Sequence, residues 1–167
     1  MSAISNLCAS IVAHFKNQGI WKKALGGSTF ALIKHKDLDL YIFVGVYNEK
    51  MAGKWRIALA AKEPETIEKI AQNRDELEDN CGFKLDSFKL RGTRSAKNKA
   101  ELTPEVTKYQ KGIFDWQEDY IAIHHKWYNG DLQSELFNMS EDYVKGKVIK
   151  KYDEEWTDLT DNILNLI

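Results

Sequence analysis

Cysteine and proline are scarce in this chain, two of each in 167 residues, and each scarcity excludes something. Cys8 and Cys81 form no Cys-x-x-Cys and no Cys/His ligand spacing, so neither a disulfide framework nor a structural zinc site of the usual kind is expected, and both are read as buried thiols in a reducing compartment. So few prolines, with no Gly/Ser-rich or low-complexity stretch and no internal repeat, leave no linker to divide the chain, and residues 1–167 are read as one domain. No apolar run approaches the roughly 20 residues of a membrane span, and residues 1–18 hold no apolar core behind a basic start. The expectation is a soluble, cytoplasmic protein with no membrane contact. An excess charge of one sign is missing too: 24 Lys and Arg stand against 25 Asp and Glu, for a net charge of −1. Whole-chain electrostatics therefore favour neither nucleic acid nor a basic partner.

What is present is hydrophobic periodicity. Ile4, Leu7, Cys8, Ile11, Val12 and Phe15 follow helical spacing, with Ser2 or Ser5 to cap and Gly19 to stop the helix. Ser28 to Lys34 is rich in aromatic and β-branched residues. In the next run Leu38, Leu40, Ile42, Val44 and Val46 alternate with Asp39, Tyr41, Phe43, Gly45 and Tyr47, and a strand apolar on both faces sits centrally in its sheet. Turn residues from Asn48 to Gly53 lead to Trp55, Ile57, Leu59 and Ala61 alternating with Arg56, Ala58, Ala60 and Lys62, which completes a three-strand antiparallel meander over residues 28–62. Pro64 at a first helical position, Glu65 and Glu68 in the first turn, and Gly82 past the end predict one packed helix over 64–81.

Beyond it the pattern loosens. Phe83 to Leu90 reads as a fourth strand, residues 92–112 as a long loop, and Asp119 to Tyr128 as a last strand ended by Asn129-Gly130. On that strand Ile123, His125 and Trp127 share one face, with His125 expected as a satisfied or half-buried core histidine. His124, expected to be the more exposed, is a general-base candidate without a nucleophile. Leu132, Leu136, Phe137 and Met139 predict a short helix, Tyr143 to Val148 gives no clear reading, and Trp156, Leu159, Ile163, Leu166 and Ile167 mark a final amphipathic helix. Charge is unevenly spread: residues 84–111 hold eight basic and three acidic side chains, whereas residues 131–167 hold four basic and nine acidic.

Two patterns carry chemistry. Helix, three strands, helix, with Asp39 on a strand and Lys62 at the end of a neighbouring one, resembles the core of the PD-(D/E)XK nucleases, which hold a divalent metal such as Mg2+ between carboxylates and place a lysine near the attacking water. The carboxylate that motif requires two residues before the lysine is Ala60 here; Glu63, Asp37 and Glu65 are the neighbouring acids that would have to replace it. The second pattern is the basic run of Lys89, Arg91, Arg94, Lys97 and Lys99, with Phe88, Tyr109, Phe114 and Trp116 as aromatics for stacking on unpaired bases. No GxSxG, Walker GxxxxGK[ST], GxGxxG before a helix or HExxH occurs. Five tryptophans add a third signal, because Trp serves interfaces as well as cores; Trp21, beside Lys22-Lys23, is read as a surface joint and, with Tyr109 and Trp116, as part of a partner surface. The stretch Ile67 to Leu90, with Arg74-Asp75-Glu76-Leu77-Glu78 and Gly82-Phe83-Lys84-Leu85, resembles uncharacterised bacterial domains that accompany restriction and phage-defence systems.

These readings combine into an α+β fold: an N-terminal helix, a mainly antiparallel sheet of four or five strands, a helix packed on it, and a helical acidic C-terminus. The leading expectation of function is a non-catalytic intracellular interaction protein, of the kind used in mobile-element, toxin-immunity or defence settings, with a protein partner and no cofactor. A homodimer is compatible with the sequence. The alternative is a nucleic-acid-binding or degenerate nuclease-like domain using the basic run, Trp116, Asp39, Lys62, Glu63 and Mg2+.

Overall fold

The computed structural model describes residues 2–25, 27–47, 53–83, 85 and 121–167. Their fold is α+β, with five strands in one antiparallel sheet of order β1-β2-β3-β4-β5. The order of elements is α1 (Ala3–Lys16), β1 (Trp21–Leu25), β2 (Phe30–His35), β3 (Tyr41–Gly45), β4 (Lys54–Ala61), α2 (Pro64–Gln72), α3 (Arg74–Cys81), β5 (Ile121–Asn129), α4 (Leu132–Asn138), α5 (Glu141–Glu155) and α6 (Thr157–Leu166). The described residues gather into two compact units, one drawn from 1–37, 41–57 and 126–156, the other from 38–40, 58–125 and 157–167.

The first unit is built on α1. The Ser2 hydroxyl accepts a hydrogen bond from the Ser5 amide at 3.1 Å and starts the helix. Its apolar stripe, the one legible in the sequence, is buried on β1 and β2. Phe15 at the end of that stripe meets Trp21 and Tyr152 edge-on, with ring centroids at 6.3 and 4.9 Å. Trp21 is thus a core residue at the start of β1, not a surface joint. Strand β1 was not expected at all. It pairs antiparallel with β2, Trp21 opposite His35 and Lys23 opposite Ile33, and a register shift between Lys23 and Leu25 bends its end. The central position expected for the alternating run holds: β3 is the middle strand, and Tyr41, Ile42, Phe43 and Val44 are all buried.

In the second unit α2 and α3 replace the single helix expected over 64–81. Pro64 begins α2 and Gly82, at φ +71°, follows α3, as expected. The division falls at Asn73, whose backbone leaves helical geometry at φ −105°, ψ 16° while its side-chain amide donates to the Lys69 carbonyl at 2.8 Å. An Asn side chain that competes for helix carbonyls bends the helix at that point. Ile67, Ile70 and Leu77 from these helices are buried, as are Leu159 and Ile163 of α6, the neighbour of both. The Glu78 carboxylate accepts from the Arg74 guanidinium at 3.2 Å and from the Leu85 amide at 2.9 Å, which fixes the chain just past α3.

The expected fourth strand, apart from Phe83 and Leu85, and the loop over 92–112 lie outside the described residues. No helix among the described residues is long and apolar enough to cross a membrane.

Candidate functional site

Asp39 and Lys62 are brought together, and the contact runs through the backbone. The chain bends over residues 36–39 before β3, which carries the Asp39 carboxylate to the two residues that join β4 to α2. Both carboxylate oxygens accept from the Lys62 amide at 3.1 Å, and Oδ2 also accepts from the Glu63 amide at 2.7 Å. Glu63 occupies the N-cap position of α2 but makes no side-chain capping bond. Asp39 therefore supplies from 24 residues away the negative charge that a helix N-terminus favours. A carboxylate has about four lone-pair sites, and three are committed here. At the position where the nuclease pattern needs a second carboxylate, Ala60 is fully buried. Among the described residues no group of three His, Cys, Asp or Glu side chains is placed to hold a metal ion.

Of the two histidines of β5, His125 matches its expected half-buried place and His124, expected to be the more exposed, does not. His124 is the buried one, 8% exposed and stacked on Phe83 at 4.6 Å between ring centroids, whereas His125 is half-buried. An aromatic ring over its face holds His124 in packing rather than at a surface where it would serve as a base.

A polar network between β5 and α5 was not foreseen. The Trp156 indole donates to the Tyr128 hydroxyl at 2.8 Å, and Tyr128 stacks on Trp55 at 4.6 Å. Burial pushes the Tyr128 phenol up to about 12, outweighing the hydrogen bond from Trp156. Glu155 pairs with Lys126 and with Lys151, the latter at 3.4 Å. Burial raises the Glu155 carboxyl, but the hydrogen bonds from the two lysines outweigh that and hold it below its ordinary value. Both lysine ammonium groups lie over the Tyr128 ring, at 5.7 and 5.6 Å. Hydrogen bonds and ion pairs hold both acid and phenol in place, so the network is a structural clasp. It ties the end of α5 to β5.

The corner between α4 and α5 differs in kind, because there the fold leaves large apolar groups uncovered. Asp131 caps α4 by accepting from the Ser134 amide at 3.1 Å, and Ser140 caps α5 by accepting from the Tyr143 amide at 3.1 Å. Two caps nine residues apart allow α4 only seven residues. Leu132 is buried and Leu136, one turn on, is half-buried. Phe137 lies about 140° round the helix from Leu132 at roughly 100° per residue and is 84% exposed. Met139, 44% exposed, and Tyr143, 59% exposed, follow it at the corner. Residues 131–143 hold four acidic and no basic side chains; Glu135 is paired with the Lys147 ammonium at 2.9 Å, which leaves Asp131, Glu141 and Asp142 as the acids of this segment.

Lys89, Arg91, Arg94, Lys97, Lys99 and Trp116, the residues read from the sequence as a nucleic-acid-contacting set, lie outside the described residues, as do Phe88, Tyr109 and Phe114. The chain matches no protein-family model, no curated protein and no solved structure.

Proposed function

We propose that this chain is a non-catalytic intracellular interaction protein, of a mobile-element, toxin-immunity or defence setting, that docks a protein partner through the α4–α5 corner. The observation that carries the reading is Phe137. Burying a phenylalanine fully is worth about 1.5–3 kcal/mol, and here nearly all of that is left unused. Isolated exposed apolar residues are ordinary, but Phe137, Met139 and Tyr143 lie within seven residues of one another. Aromatic residues and methionine are also the types enriched where proteins meet. Asp131, Glu141 and Asp142 support a partner of complementary chemistry: an apolar socket rimmed by lysine or arginine, drawn in by the opposite charge.

A photo-crosslinking residue at position 137 tests this. The captured protein is purified and its affinity measured by calorimetry for the unchanged chain and for the Phe137→Ser/Tyr143→Ser double variant. A loss of about tenfold or more, with the thermal midpoint unchanged, supports the reading. Equal affinity for both chains overturns it, and so does capture of a second copy of this chain with no other partner.

A further inference from the structure

A groove of about 650 Å³ runs along α1 beside β1 and the start of β2. It lies in the first unit, on a part of the molecule that the α4–α5 corner does not include. Its origin is a step in side-chain size. Cys8 and Val12 are buried residues at the base, but Ala9 and Ala13, one position further round the helix, are too short to fill the space above them. Leu25 and Phe30 form the opposite wall. Phe30 is held in place there: its ring stacks on Phe43 with centroids 5.6 Å apart, and a Cβ at Gly27 would come within 2.6 Å of it.

The polar lining carries charge of one sign. Lys16, from the last turn of α1, and Lys23, from β1, both border the groove, and no Asp or Glu among the described residues lines it. Neither lysine has a carboxylate partner among the described residues. Cavities of roughly 300–1,000 Å³, mostly apolar with a few polar groups, are the usual form of small-molecule sites. Lys16 stands in the last turn of α1, where helix carbonyls contribute partial negative charge that offsets part of the lysines' pull on an anion, so two ammonium groups suit a single negative charge better than a phosphate dianion. From these features we infer that the groove binds an amphiphilic monocarboxylate, its apolar chain against Val12, Ala13, Leu25 and Phe30 and its head group between Lys16 and Lys23. Cys8 at the base is no nucleophile for such a ligand, because burial pushes its thiol up to about 12 and keeps it protonated.

Dodecanoate, below its micellar concentration, is the probe. Calorimetry with the full chain is expected to give saturable binding of one molecule per chain, and methyl NMR to place the shifts at Ala9, Val12, Ala13 and Leu25. The Lys16→Gln/Lys23→Gln variant, which leaves every buried side chain in place, is expected to bind about tenfold or more weakly, the scale of one charge-assisted contact. Ala13→Phe, which fills the groove from an exposed helix position, is expected to abolish binding with circular dichroism unchanged. Dodecanol and dodecyltrimethylammonium are expected to bind more weakly than dodecanoate. Absence of saturable binding overturns the inference. So does equal affinity in the double-glutamine variant, tighter binding of dodecyl phosphate, or shifts centred on Phe137 to Tyr143.

Discussion

Replacing Asp39 separates a structural carboxylate from a metal ligand. The side chain accepts from two backbone amides, those of Lys62 and Glu63, at distances from 2.7 to 3.1 Å. Asp39→Ala removes every acceptor and strands both donors at a half-buried junction. Hydrogen bonds to a charged group are worth about 1.5–3 kcal/mol, and a charge at a helix N-terminus adds about 0.3–1 kcal/mol. Water reaches the site and recovers part of the loss, so the net cost is about 2 kcal/mol. For a chain of this length that lowers the thermal midpoint by about 4–8 °C. Asp39→Asn keeps one oxygen for the shorter Glu63 bond and is expected to cost about half as much. Differential scanning calorimetry on the three proteins, each with and without 10 mM Mg2+ as an added reagent, reads both effects. The expected result is an ordering of wild type above Asn above Ala, the same in Mg2+ as without it. A ligand that binds only the folded state raises stability in proportion to the logarithm of its concentration over Kd. A midpoint that rises with Mg2+ in the wild type and not in Asp39→Ala would therefore refute the structural assignment, as would an Asp39→Ala protein as stable as its parent.

Three further outcomes follow from other parts of the molecule. The folded Tyr128 phenol ionises near about 12 against an ordinary value of 10, so the unfolded chain loses its proton first as pH rises; the stability Tyr128 confers is complete below pH 10 and lost between 10 and 12, by about 2–3 kcal/mol. Urea midpoints should accordingly fall more steeply above pH 10 in the wild type than in Tyr128→Phe. Gly130 sits at φ +137°, where an added Cβ would come within 3.3 Å of the Lys147 ammonium and 3.4 Å of the Glu135 carboxylate that pairs with it, so Gly130→Ala should cost about 1–3 kcal/mol in chemical denaturation. Gel shifts on single- and double-stranded DNA and RNA, at low and moderate salt and with or without Mg2+ or Mn2+, are expected to show neither retention nor cleavage; retention weakened by Lys89→Glu/Arg91→Glu/Arg94→Glu would favour the nucleic-acid alternative over a protein partner.

Elements with a strict period were legible because burial on a regular backbone forces that period. Leu38 to Val46 alternates without a break, and α1 repeats its apolar residues every three or four positions, so both were read close to their observed places. Strand β1 escaped because its five residues, Trp-Lys-Lys-Ala-Leu, place two lysines together and include a register shift; its pairing with β2, not its own pattern, makes it a strand. Helix α5 escaped for a related reason. Its buried residues Val144, Val148, Ile149 and Tyr152 are separated by charged side chains and Gly146, so the apolar stripe is narrow. The role of Asp39 depends on a partner 24 residues on, and no local spacing reports that. Trp156 matched the period of the last helix yet ends α5 instead, where its indole finds the Tyr128 hydroxyl.

The α4–α5 corner shows why a surface is harder to read than a core. In the sequence Leu132, Leu136, Phe137 and Met139 look like one apolar stripe, and a stripe implies burial. A stripe is buried only over the length of its helix. Here Asp131 and Ser140 each satisfy a helix N-terminus, which fixes where α4 starts and stops, and the helical period sets which of its residues face inward. Leu132 takes the inward position and Phe137 is left facing out. The phase of α4, about 140° between Leu132 and Phe137 at roughly 100° per residue, therefore determines that the aromatic ring is exposed. Adding one residue between Phe137 and Ser140 would lengthen α4 without altering either cap, so it should leave folding intact while rotating the ring relative to Tyr143. If the corner is the docking surface, that single insertion should weaken binding of the captured partner about as much as the Phe137→Ser/Tyr143→Ser variant does. Unchanged affinity in the insertion variant would show that the geometry of the corner does not matter to binding.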